Sequence, residues 1–269
     1  MAAVVKCQAV KKDGQSCRNT GKVTRDQVTY CGVHDPYKSR NGIQVVTIDQ
    51  PNWVKVIDDP DSWVAVYQGW VEDADSLFKD LKENVPWHFR KVKMRGRDVA
   101  IPRGSFFLCE DRANYPGATN KDKLNHAIWE DSTSESDYIN LVRSLLDKIN
   151  HDRTIKKLTK QQLNFKTALL HLYRDGKDSI SPHSDKEACY HKREWFPTVV
   201  VGVSLGATRK FRFREKVGSK RKIDLFLKHG DVVIMGGHCQ RDWTHEIPKI
   251  STRVSERISL TFRYLIDLP

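Results

Sequence analysis

The second half of the chain decides its class. From residue 165 onward the sequence is a succession of short apolar or alternating runs: "TVVVGVSL", "KFRFRE", "DLFLKHGDVVIMGG" and "ERISLTFRYLI". β-Branched and aromatic residues at this density favour strands, and the Gly-Asp and Gly-Ala pairs between them favour tight turns. Many short strands at such spacing are expected to close into an antiparallel sandwich or barrel. Two helices precede them. Asp73 is placed to cap "ADSLFKDLKEN", in which Ala74, Leu77, Phe78 and Leu81 share a face. Ser134 and Asp137 resemble a capping box, followed by a helical stripe of Tyr138, Leu141, Val142, Leu145, Leu146 and Ile149.

The chain has 269 residues, enough for one large domain or a domain with a small appendage. No apolar run approaches the ~18 residues that cross a bilayer. The opening "MAAVVKCQAVKKDG" has too short an apolar stretch for a secretory signal, so the expected location is intracellular and reducing, nucleus or cytoplasm, with no membrane partner. The net charge of +12 points to a polyanionic partner, and it is clustered. Residues 208–222 hold eight basic side chains against Glu215 alone, and residues 90–103 hold six against Asp98.

The first forty residues differ from the rest. Cys7, Cys17, Cys31 and His34 supply the donors of a tetrahedral zinc site, and a segment too short to bury a core is one that a metal can fold. The expected organisation is a zinc-binding module over 1–40, a linker over 41–61 and the main domain over 62–269, the whole a monomer.

A second constellation carries chemistry. In a strand, residues i and i+2 point to one face, so His183 and Asp185 in "ISPHSDKEA" aim an imidazole and a carboxylate at one point. His245, in "QRDWTHEIPK", offers a third ligand. Two histidines and one carboxylate leave open positions on a metal, the pattern of non-haem Fe(II) oxygenases. In the last strand, Arg257, Ser259, Thr261 and Arg263 alternate with Ile258, Leu260 and Phe262. An arginine turned into a barrel is costly unless it meets an anion, and a small dicarboxylate suits a guanidinium.

With these residues in view, the segment from Leu169 to Tyr264 resembles the catalytic core of the AlkB family of Fe(II)/2-oxoglutarate dioxygenases, in its eukaryotic DNA-repair branch. The matching pieces are "YRDGKDSISPHSD", "VSLGATRKFRFR", "HGDVVIM", "WTHEIP" and "RISLTFR", with "GWVEDADSLFKDLKENVPW" and "AIPR" upstream. The resemblance implies a double-stranded β-helix, a jelly roll with flanking helices. It implies His183, Asp185 and His245 as iron ligands, and Arg257 with Tyr173 on the distal carboxylate of 2-oxoglutarate. Arg263 would lie near the co-substrate's other end and the methylated base, with Ser259 and Thr261 lining the pocket. Where the family usually has Asn-x-Tyr this chain has His171-Leu172-Tyr173, and His171 is expected either to donate in place of the amide or to perturb co-substrate affinity.

The reaction implied couples decarboxylation of 2-oxoglutarate by O2 to hydroxylation of an N-methyl group, with loss of formaldehyde. The substrates implied are 1-methyladenine and 3-methylcytosine in DNA or RNA, with the base flipped out or unpaired. Glu187 is a candidate for the exocyclic amine and Tyr115 for stacking. Met94 and Arg95 stand at the tip of a hairpin where duplex-specific relatives carry an aromatic wedge, followed by Arg103 of "AIPR". Arg209, Arg212, Arg214, Lys220 and Arg221 are candidates for phosphate contacts. The other readings are the same chemistry on RNA or on a protein side chain, and a non-catalytic zinc protein that binds nucleic acid.

Overall fold

Two β-sheets lie face to face. The computed structural model describes residues 17, 23–25, 28–30, 42–46, 48, 52–94, 96–109, 126–128, 137–186, 189–191 and 193–264. The larger sheet has eight strands, in the order Val54–Asp58, Ser62–Tyr67, Asp231–Gly237, Thr198–Gly206, Arg257–Arg263, Thr167–Tyr173, Gly104–Cys109 and His126–Ile128. The smaller has five: Ile180–His183, Trp243–Ile247, Arg209–Glu215, Lys222–Leu227 and Ile43–Val46. All ladders within these two sheets are antiparallel except those of Ile43–Val46 and His126–Ile128. This is the mostly-β, jelly-roll type of architecture expected from the run of short strands.

Helices cover the outer face of the larger sheet. Leu77 and Leu81 of α1 (Ala74–Asn84), Val142, Leu145 and Ile149 of α2 (Asp137–His151) and Ile155 of α3 (Arg153–Thr159) pack in one cluster with Leu170, Val201, Ile258, Leu260 and Phe262 of the sheet. Each such side chain contributes about 1.5–3 kcal/mol when fully buried, so the apolar face of the closing strand is fixed outward. Arg257, Ser259 and Thr261 are thereby turned inward, onto a cavity between the sheets. The run "TVVVGVSL" does not alternate because both of its faces are dry. Val199, Val201 and Val203 join the helix-side core, and Val200 joins the inter-sheet core.

One helix expectation changes, one falls on a residue outside the described ones, and one helix is additional. Asp73 precedes α1, but its side chain makes no capping bond. α2 begins at Asp137, and Ser134 lies outside the described residues. α3 was not anticipated, because seven residues are too few to show a period. Its signal was Asp152, whose Oδ1 accepts from the Ile155 N–H at 2.8 Å.

Two of the described stretches within the linker expected over 41–61 are strands. Ile43–Val46 extends the smaller sheet in parallel with Lys222–Leu227, and Val54–Asp58 edges the larger one. Ile48 and Ile57 are buried between the sheets. The apolar residues of this stretch are core residues, so the domain starts earlier than residue 62. Of the four expected zinc ligands only Cys17 is described, and it is buried; Cys7, Cys31 and His34 lie outside the described residues. No helix among the described residues is long and apolar enough to cross a membrane.

Candidate active site

The smaller sheet brings two histidines together. His183 ends the strand Ile180–His183 and pairs directly with His245 on the neighbouring strand. Directly opposed residues of an antiparallel pair share a face, and the two rings stand 4.3 Å apart between centroids. The Ser181 carbonyl lies 2.9 Å from His183 Nδ1. A carbonyl only accepts, so Nδ1 carries the proton and Nε2 keeps its lone pair. His245 is stacked on Phe211 at 5.4 Å. Burial lowers its pKa to about 4, although Asp185 favours the charged form. His245 is therefore a lone-pair donor at neutral pH.

Asp185 reaches the same point by another route than the one expected. The strand stops at His183, so the two residues do not share a strand face. The loop beyond is held by Ser184 Oγ, which donates to the Trp243 carbonyl at 3.0 Å, and by the Asp185 N–H, which donates to Gln240 Oε1 at 3.0 Å. Arg263 Nη1 donates to Asp185 Oδ1 at 2.7 Å. The other oxygen, Oδ2, is buried without a hydrogen-bond partner and stands 3.6 Å from His245 Nε2. Burial opposes the carboxylate's charge, but Arg263 and the histidines outweigh it, and its pKa lies below the usual range. One ligand atom from each of His183, Asp185 and His245 falls within 4.8 Å of the others. Two imidazoles and one carboxylate oxygen with no hydrogen-bond partner make a donor set that fits a ferrous ion.

Deeper in the cavity lies a place for an anion. Arg257 is 2% exposed, and its Nε donates to Ser204 Oγ at 3.0 Å. Its Nη1 is buried without a hydrogen-bond partner. Burial lowers its pKa to about 10, and the guanidinium lies 5.4 Å from the Tyr173 ring centroid. A buried cation with an unused N–H fits a ligand carboxylate. His171 also lines the cavity, with Nδ1 buried and unpartnered. Burial and the Arg103 charge push its pKa well down, while the Gly104 carbonyl works the other way.

The frame of the site depends on one tight turn, "YRDGKDS". Arg174 binds Asp178 through its backbone N–H at 2.9 Å and its Nε at 2.8 Å. A Cβ on Gly176 would meet the Ile250 carbonyl at 2.7 Å, so no other residue fits. Arg209, expected on the surface, is 1% exposed and donates to the Asp175, Asp178 and Pro248 carbonyls, each at 2.9 Å. It braces the turn under Tyr173 and is not available to phosphate.

The remaining candidates fall in different places. Arg212 pairs with Asp224 and Arg214 with Glu246, from cross-strand positions on the smaller sheet. Arg221 pairs with Asp59 and Glu215. These cations already hold carboxylates, an arrangement their density in the sequence concealed. Arg103 is partly buried, with Nη1 donating to the Ser179 carbonyl at 3.1 Å. Lys91–Met94 and Arg97–Ala100 form an exposed hairpin, with Met94 at the end of its first strand. Glu187, Tyr115 and Arg95 lie outside the described residues. Sequence reasoning missed Phe211 and Gln240. For Phe211 a signal existed: "RKFRFRE" puts both phenylalanines on the face opposite Lys210, Arg212 and Arg214.

A two-histidine, one-carboxylate cluster beside a buried unpaired arginine, inside a jelly-roll-like pair of sheets, is the site of an iron oxygenase that takes an oxo-acid co-substrate. In agreement, residues 64–263 match the 2OG-Fe(II) oxygenase superfamily, and the chain belongs to it as an AlkB-like Fe(II)/2-oxoglutarate-dependent dioxygenase. Among individual relatives, the human alpha-ketoglutarate-dependent dioxygenase alkB homolog 3 is 27% identical over 218 residues, 77% of this chain and 68% of that protein. Its rat counterpart is 36% identical over 220 residues, 77% of this chain and 66% of that protein. The human DNA oxidative demethylase ALKBH2 is 26% identical over 205 residues, 72% of this chain and 69% of that protein.

Proposed function

We propose that this chain removes methyl groups oxidatively from base nitrogens in nucleic acid, with 1-methyladenine and 3-methylcytosine as substrates. The observation that carries the reading is the convergence of His183, Asp185 and His245 within 4.8 Å beside the unfilled hydrogen-bonding capacity of Arg257. The substrate class is supported by the relatives, one of which is named a DNA oxidative demethylase, and by the net charge of +12.

In this reading His183 Nε2, Asp185 Oδ2 and His245 Nε2 hold the ferrous ion. When bound, iron with 2-oxoglutarate and O2 supplies oxidative decarboxylation to succinate and CO2, and hydroxylation of the methyl carbon, which leaves as formaldehyde. The chain's own residues do the rest. Arg263 occupies Asp185 Oδ1, so the carboxylate offers one oxygen and blocks one position rather than two. Arg257, with Tyr173, takes the distal carboxylate of the co-substrate and fixes its direction. Ser259 and Thr261 line the wall between them. Phe211 shields the ligand face of His245 from water. Glu187, Tyr115, Met94, Arg95 and Arg103 are assigned to the flipped base and its strand. Cys7, Cys17, Cys31 and His34 are assigned to zinc on their identity and spacing alone. Elemental analysis of the purified chain checks that assignment, and a zinc-free protein ends it.

The direct test is incubation with both methylated bases in single- and double-stranded DNA and RNA, with Fe(II), 2-oxoglutarate and O2. Mass spectrometry is expected to show loss of the methyl groups, with formaldehyde and succinate in equal amounts. Succinate release with every methylated base left intact would refute the substrate class while sparing the enzyme class. Activity on RNA alone would move the reading to an RNA demethylase.

His171 gives a separate prediction. In our reading the buried, unpartnered Nδ1 faces the co-substrate, where a lone pair is unfavourable, whereas an amide N–H gives a charge-assisted bond worth ~1.5–3 kcal/mol. His171→Asn is therefore expected to lower the KM for 2-oxoglutarate by about tenfold, taking 1.4 kcal/mol per decade. An unchanged or higher KM would show that His171 faces some other group.

A further inference from the structure

We infer that Gln240 is a positioning residue for the iron-binding carboxylate, acting through the backbone of Asp185; the inference rests on the iron-site reading above. Asp185 follows the end of its strand, so its N–H has no ladder partner and must be satisfied elsewhere. Gln240 Oε1 accepts it at 3.0 Å. Gln240 is 1% exposed, and its Nε2 lies 3.5 Å from Met235 Sδ. The side chain is held at both ends of its amide and has one orientation.

Its own support is unusual. Gln240 sits in α4 (Cys239–Asp242), four residues that cannot hold a helix by propensity. The segment is clamped from outside. Lys216 Nζ donates to the Gln240 carbonyl at 2.7 Å, and the Lys216 N–H donates to the Asp242 carbonyl at 2.8 Å. The His238 N–H donates to the Asp61 carbonyl at 2.7 Å, and Ser62 Oγ donates to Asp242 Oδ2 at 2.5 Å. Lys216 itself lies 4.8 Å over the Trp195 ring. Gln240 is thus tied to the frame of the larger sheet and transmits that frame to the loop of Asp185.

Two clamps then define the carboxylate. Arg263 fixes Oδ1 from the closing strand, and Gln240 fixes the backbone from the opposite side. With both in place, Oδ2 is turned toward His245 Nε2. With Arg263 alone, the carboxylate is held by one hydrogen bond, and its backbone only by the neighbouring Ser184 and Cys189 contacts, so the ligand atom is aimed less tightly between the histidines. Groups that hold a ligand from behind typically change metal affinity by roughly tenfold to a hundredfold.

The test uses the full chain and Co(II), whose absorption reports binding without turnover. Gln240→Met keeps the volume and removes the acceptor; it is expected to weaken Co(II) binding by roughly tenfold or more. At saturating metal most of kcat should return, and the KM for 2-oxoglutarate should move far less. Gln240→Glu keeps an oxygen on the Asp185 amide and is expected to restore most of the affinity. Ser62→Ala removes one of the several bonds that hold α4 and leaves the Gln240 contact in place, so it should lower the melting temperature and weaken Co(II) binding by clearly less than Gln240→Met does. Wild-type affinity in Gln240→Met overturns the proposal, and so does an equal loss in Ser62→Ala. Failure of the wild-type chain to bind Co(II) overturns the iron-site reading first, and this one with it.

Discussion

Replacing His183 with alanine is expected to abolish metal binding and turnover together while leaving the fold intact. Three ligands within 4.8 Å hold the ion in our reading, and removing one leaves a pair that cannot retain it. His183 is the clean choice among the three. It belongs to neither hydrophobic core and is only partly buried. His245 is buried and stacked on Phe211, so its loss also opens a gap. Asp185 is worse still, because Arg263 would keep a buried charge with its 2.7 Å partner gone. Breaking such a pair costs ~3–5 kcal/mol, and loss of activity could then reflect loss of structure. The measurement is Co(II) titration of His183→Ala beside its thermal melt and its release of succinate. Co(II) bound as tightly as in the wild type, with turnover intact, would remove His183 from the site.

Much of this was legible before any coordinates. The closing strand declared both of its faces, because Ile258, Leu260 and Phe262 alternate with two arginines and two hydroxyls. A cavity on one side or a solvent face on an edge strand would explain that pattern, and the structure has the cavity. His183 and His245 were legible by residue type, although nothing in the sequence makes them cross-strand neighbours. Asp185 was found for a reason that turned out incomplete. The two-residue spacing suggested a shared strand face, but the strand ends and tertiary hydrogen bonds do the aiming. Gln240 could not be read at all, since a lone glutamine carries no periodic or motif signal and its role depends on a contact 55 residues away in sequence. The basic clusters misled for a related reason. Counting charges along the chain cannot see Asp224 and Glu246 arriving from neighbouring strands to pair with Arg212 and Arg214. The stretch 41–61 misled because a parallel edge strand has no hairpin to announce it.

Arg257→Met is expected to raise the KM for 2-oxoglutarate by about a hundredfold without destabilising the ligand-free protein. The two halves of this expectation share one cause. In the ligand-free chain Arg257 is 2% exposed, its Nη1 has no hydrogen-bond partner, and its pKa has fallen to about 10 because burial penalises the charge. Exchanging a buried, incompletely satisfied cation for an apolar chain of similar length is neutral to stabilising, by up to ~1–4 kcal/mol. With the co-substrate present, in our reading the same guanidinium pairs with its carboxylate in a charge-assisted bond, and losing that pair costs about 3 kcal/mol. At 1.4 kcal/mol per decade that is about a hundredfold in affinity. Metal binding should be unaffected, because Arg257 touches none of the three ligands, whereas Arg263 does. The measurement pairs the melting temperature with the 2-oxoglutarate dependence of succinate release at saturating metal. A purely structural arginine predicts a lower melting temperature and an unchanged KM. An arginine held in reserve for a dicarboxylate predicts the reverse on both counts, because the cost of burying it is recovered only when the ligand arrives.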